Sequence, residues 1–191
     1  MKPTSEYGKL AETNFSNTPA RRCHGLYSRS RDTAKLRLHF LKAQRMGAHP
    51  WYYSVPYVED IAGALSALRE REFRAGRYCP AEMFPRFPVD ANHTPGCRHA
   101  SMEAARQAAG ASGTRSIVDI LRLGDRPDFG VASSLLDDEL EDLFGTKTPS
   151  AEEILDCDEL FDQIERGHGV YVTAYEDGKP AEIIFLGYSY D

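Results

Sequence analysis

The dipeptide Asp177-Gly178 constrains this chain more than any other feature. It separates two runs of alternating side chains, Val170 to Tyr175 and Ala181 to Tyr190. Asp-Gly between such runs is the turn pair of a two-residue β-hairpin, because both positions tolerate positive φ. A two-residue turn then sets the register. Ala174 is expected opposite Ala181, Val172 opposite Ile183, and Val170 opposite Phe185. That side is uniformly apolar and is predicted to meet helices. The other side would carry Tyr171, Thr173, Tyr175, Glu182, Ile184, Leu186, Tyr188 and Tyr190. A tyrosine has an apolar body and a polar tip, which suits a half-wet contact surface. Tyr171, Tyr175, Tyr188 and Tyr190 are therefore the candidate binding residues.

Upstream, short elements alternate. Trp51-Tyr52-Tyr53-Ser54-Val55 is aromatic and β-branched and reads as a strand, limited by Pro56. From Glu59 to Arg74, Ile61, Leu65 and Leu68 recur at helical spacing, and Gly76 is a plausible stop. The run Arg69-Glu70-Arg71-Glu72 reads as the solvated face of that helix. Pro80, Pro85, Pro88 and Pro95 forbid a long helix over 77–99, which reads as a short edge strand and a long loop. Met83, Phe84, Phe87 and Val89 in that stretch call for burial.

Ser101 caps a short alanine-rich helix that stops at Gly110. Ile117-Val118-Asp119-Ile120-Leu121 reads as a buried strand. Two acidic helices follow. Leu136, Leu140 and Leu143 line the first, which ends at Gly145. Ser150 and Glu153 form a capping box for the second, whose inner stripe is Ile154, Cys157, Phe161 and Ile164. The predicted fold is α+β: a mixed, largely antiparallel sheet of four to five strands, helices packed mainly on one face, and a C-terminal β-hairpin.

Charge divides the chain. Residues 1–45 hold ten Lys or Arg against three acids, a net of +7, while 46–191 carry −13. The division predicts a disordered basic leader over 1–45 and a single acidic domain over 46–191. A leader of this kind reads as a solvated tail, a phosphate- or lipid-touching arm, a transit-like peptide, or extra sequence ahead of the fold. It could also lie on the acidic half, by a contact that salt weakens. The acidic domain itself repels nucleic acid. The apolar run Ile183-Ile184-Phe185-Leu186 is far too short to span a bilayer.

The four cysteines, Cys23, Cys79, Cys97 and Cys157, are irregularly spaced, and no secretory apolar core follows Lys2. Reduced thiols in the cytoplasm are the expectation. Cys79, His93, Cys97 and His99 are the candidate metal ligands, since two thiolates and two imidazoles complete a tetrahedral zinc site. Their spacing matches no paired Cys-x2-Cys module, so unrelated loop residues are the plainer reading. A nucleophilic Cys–His pair drawn from this loop or from His168 lacks a Gly-framed elbow. His168, between Gly167 and Gly169, is explained as a helix-terminal histidine. No phosphate-cradling glycine loop and no calcium loop is present.

Two functions remain. The first is a non-enzymatic acidic interaction module that binds a basic protein partner, inhibitor- or immunity-like by analogy of charge alone. The second is a small metal-assisted hydrolase that uses the Cys/His loop.

Overall fold

The computed structural model describes residues 48–191. The basic leader, Cys23 and the disorder expected for 1–45 lie outside the described residues. Five strands form one sheet in the order β1-β5-β4-β3-β2: β1 (Pro50–Pro56), β2 (Arg122–Gly124), β3 (Val131–Ser134), β4 (Gly169–Glu176) and β5 (Lys179–Tyr188). β5 pairs antiparallel with both β1 and β4, while β3 runs parallel to β4 and to β2. The mixed α+β sheet and its C-terminal hairpin match the sequence reading.

Five α-helices accompany the sheet: α1 (Ile61–Ala75), α2 (Met102–Ala109), α3 (Asp137–Phe144), α4 (Ala151–Leu155) and α5 (Asp158–Gln163). Their ends follow local chemistry. The Asp60 carboxylate accepts the Gly63 N–H at 2.8 Å to start α1, and Gly76 ends it at φ +80°. A Cβ at Gly76 would overlap the backbone of Gly96. Ser101 caps α2, and Ser150 with Glu153 forms the capping box of α4.

The hairpin departs from the simple register by one residue. Asp177 and Gly178 take φ of +51° and +74°, as a tight turn of this kind needs. Glu176 pairs with Lys179 and Tyr175 with Pro180, but Ala174 then pairs with Glu182, so Ala181 is an extra residue in a β-bulge. Pro180 has no N–H to give the ladder, and proline is tolerated at such irregularities. Beyond the bulge Val172 faces Ile184, and Val170 faces Leu186. The predicted partners Ile183 and Phe185 are turned to the other side.

Both faces of the sheet are therefore buried. On one, Tyr52, Val170, Val172, Ile184, Leu186 and Tyr188 pack with Ile154, Leu160 and Phe161 of α4 and α5 and with Leu140 and Leu143 of α3. On the other, Trp51, Tyr53, Ile183 and Phe185 pack with Leu65 and Leu68 of α1 and with Ile117 and Ile120. The acidic helices do gather on one face, but α1 packs on the second, where Tyr171, Thr173 and Tyr175 of β4 stay only partly buried.

Three further expectations are corrected. Residues Ile117–Asp119 form a 3₁₀ turn, not a strand. The reason is the Asp119 carboxylate, which accepts the Thr114 N–H at 2.8 and 2.9 Å and folds the segment back. The second acidic helix is two helices broken at Cys157, though Ile154, Cys157 and Phe161 are buried as the stripe predicts. Residues 77–99 contain no strand, and Met83 and Phe84 are exposed. Phe84 is instead stacked by His49 at 5.5 Å and capped by the Arg115 guanidinium at 5.1 Å.

Candidate functional site

The acidic face is built by α3, α4 and α5. Between Asp137 and Gln163 there are eleven acids and one cation, Lys147. Ten of the eleven are exposed, and Asp156 is half-buried. Helix geometry explains the arrangement: the apolar stripes Leu140/Leu143 and Ile154/Leu160/Phe161 turn to the sheet, so the acids must turn to water. Lys147 is held at 3.0 Å from Asp137 and 3.9 Å from Glu141. Leu136, at the start of α3, is 60% exposed.

The four candidate tyrosines do not share one surface. Tyr171 and Tyr175 are half-buried and line a small recess of about 150 Å³ with Leu135, Asp137, Leu140 and Lys147. The recess exists because β3 stops pairing at Ser134–Tyr171 while β4 runs on to Glu176. The Tyr175 N–H is held by the Pro149 carbonyl at 2.9 Å. Tyr188 is turned by the bulge into the helix-packed face, where its ring meets Phe161 edge-on at 6.4 Å. Burial pushes its hydroxyl up to about 12. Tyr190 lies beyond β5, against Phe129 at 4.2 Å, and donates to the Asp119 carbonyl at 3.4 Å. Burial first, then the Asp119 charge, pushes it up to about 12 as well.

The candidate metal ligands are also dispersed. Among the described residues no three His, Cys, Asp or Glu side chains gather in a way that could hold a metal ion. His93 Nε2 lies 2.9 Å from Glu82. His99 Nδ1 is 2.8 Å from the Tyr78 hydroxyl, which also stands 3.7 Å from Cys97 Sγ. Cys97 meets His99 through its backbone, donating to the carbonyl at 3.1 Å, and not through the imidazole. Cys79 is half-buried, and burial raises its thiol above the ordinary range, with opposing influence from Arg115. That is the setting of an inert thiol. His168 donates its N–H to Glu165 at 3.1 Å, as a chain reversal after α5 requires.

Two charged groups escaped the sequence reading. Glu72, assigned to a solvated face, has no exposed surface. Its carboxylate takes Arg77 Nε at 2.7 Å, Arg77 Nη2 at 2.9 Å and Arg71 Nε at 2.8 Å. Arg77 also donates to the His93 carbonyl at 3.1 Å, tying the proline-rich loop to the end of α1. The only available signal was position, since Glu72 falls seven residues after Leu65 on the inner side of the helix. The second group is Asp119, 1% exposed and ringed by Thr114, Arg106, Arg69 and Tyr190.

No helix among the described residues is long and apolar enough to cross a membrane. Comparison with protein-family models, curated proteins and solved structures finds no match to this chain.

Proposed function

We propose that the protein is a non-enzymatic interaction module that binds a basic protein partner through α3, α4 and α5, in the manner of an inhibitor or immunity protein. One observation carries the reading. Ten exposed carboxylates gather on α3, α4 and α5, and one of them, Asp137, lines a recess whose wall also includes Lys147, Tyr171 and Tyr175. A one-signed field of this kind speeds encounter with a cationic partner and rejects acidic ones. Tyrosine rings and the exposed Leu136 supply the desolvated anchor that charge alone does not. An Arg side chain of the partner would compete with Lys147 for Asp137 at this recess. The same field disfavours nucleic acid. The three cysteines among the described residues are free, which suits a reducing compartment, so the cytoplasm is the proposed location.

The test is an NMR titration of the full chain with a hepta-arginine peptide at low ionic strength. Shift changes should concentrate on α3, Tyr171 and Tyr175, fade with added salt, and disappear when Asp138, Glu141 and Asp142 are changed together to Asn, Gln and Asn. Shifts scattered evenly over the surface, or none, would overturn the reading.

A further inference from the structure

A cleft of about 620 Å³ crosses the outer edge of β1. Tyr52 and Tyr53 point to opposite faces of the sheet, yet both line it. The remaining walls come from α1 (Arg71 and Ala75), from Arg77, from the loop 88–94, and from Leu155 of α4. The volume falls within the range of small-ligand sites, which runs from roughly 300 to 1,000 Å³. Phe87 braces the edge, with its ring 6.1 Å from Tyr52 and 5.2 Å from Tyr53.

The electrostatics of the cleft are opposite to those of the domain. No Asp or Glu lines it, whereas two arginines do. Both share a single carboxylate, Glu72. Two guanidinium charges against one carboxylate leave one positive charge in excess. Arg77 is nearly buried and uses its nitrogens on Glu72 and on the His93 carbonyl. Arg71 commits only Nε to Glu72, and its side chain is half exposed at the cleft. Its Nη atoms are the donors that Arg71 can offer to a ligand in the cleft. A carboxylate there would complete the charge balance through charge-assisted hydrogen bonds, which guanidinium geometry favours in bidentate form. Beyond that point the walls are mainly apolar: Ala75, Pro88, Val89, Ala91 and Leu155, with the tyrosine rings and the hydroxyl-bearing Ser54 and Thr94 among them.

We infer that this cleft binds a small monocarboxylic acid with an apolar or aromatic body, its carboxylate on Arg71 and its body along Tyr52, Tyr53 and Val89. The buried Glu72–Arg77 pair acts as the fixed support, holding Arg71 and the proline-rich wall in place before any ligand arrives. Leu155 of α4 is the one wall that the site shares with the acidic face, and it takes none of that face's carboxylates.

Calorimetric titration of the full chain with 4-phenylbutyrate tests it, with 4-phenylbutyramide and acetate as comparison probes. The acid should bind saturably at one site per chain. The amide should bind about tenfold more weakly or worse, because it lacks the charge that Arg71 recognises. Acetate should bind far more weakly, because it cannot fill the apolar walls. Arg71→Gln, at an exposed position, should lose at least the same tenfold, and Val89→Asp should abolish binding by placing an anion on the wall. Equal affinity for acid and amide, equal affinity for phenylbutyrate and acetate, unchanged affinity in Arg71→Gln, or no saturable binding would each overturn the inference.

Discussion

The indole of Trp51 occupies the space where a side chain at Gly187 would stand. The two residues are register partners in β1 and β5, and a Cβ on Gly187 would overlap Cζ2 of the ring. Gly169, the next residue across the sheet, extends the slot: its Cβ would come 3.1 Å from Cη2. Trp51 has no exposed surface. Gly187→Ala should therefore destabilise the fold by about 2–3 kcal/mol through overpacking, read by denaturant melts. Gly169→Ala should cost less, because its neighbours need to yield only slightly. Equal and negligible effects at both positions would show that the indole has room to move.

The buried pair Glu72–Arg77 behaves as a unit. Glu72→Leu strands the Arg77 charge in the interior and should cost about 3–5 kcal/mol. Replacing Arg77 by Leu in the same chain removes the stranded charge and should recover much of that loss. A double variant less stable than the single one by urea titration would count against this account.

Asp119 titrates abnormally. Burial pushes its carboxyl up to about 6, against hydrogen bonds from Thr114 and Arg115 and the charge of Arg106. The unfolded chain keeps the ordinary value near 3.9. The folded protein thus holds this proton more tightly than the unfolded one. The stability linked to the proton is full below about pH 4 and is lost as pH rises through about 6, a contribution of roughly 3 kcal/mol for two units. Asp119→Asn cannot titrate, so its stability relative to the native chain should rise between pH 4 and 7. Parallel stability curves for the two proteins would refute this.

Tyrosine replacements separate packing from contact. Tyr188→Ser removes a ring from the helix-packed core and should cost about 3 kcal/mol. Tyr171→Ser and Tyr175→Ser, at half-buried sites, should cost about 1 kcal/mol each. Both should weaken hepta-arginine binding while leaving the circular dichroism spectrum unchanged. A collapse of stability at Tyr171 would make that side chain structural.

The legible parts of the fold were those with strong local chemistry. Asp177-Gly178 marked the hairpin, Gly76 and Gly145 marked helix ends, and Ser101 and Ser150 marked helix starts. What was not legible depended on contacts distant in sequence. The bulge at Ala181 follows from Pro180 meeting Tyr175, and it reverses the side on which Ile184, Leu186 and Tyr188 fall relative to their β4 partners. The turn at Ile117 follows from one carboxylate reaching back to Thr114. In the site, the acids of α3–α5 could be read directly, because helical spacing alone exposes them. The Tyr171/Tyr175 recess and the β1 cleft could not, because each is formed by where a neighbouring element ends.

β5 lies between β1 and β4, so Pro50 finds its partner only in Tyr188. During synthesis the ribosome delivers Trp51 and its neighbours long before the strand that shelters them. Until almost every described residue has emerged, the strand that pairs with that aromatic segment is not yet made. A pairing of such long sequence separation is made late and slowly, which leaves the aromatic edge strand dependent on the last strand of the chain.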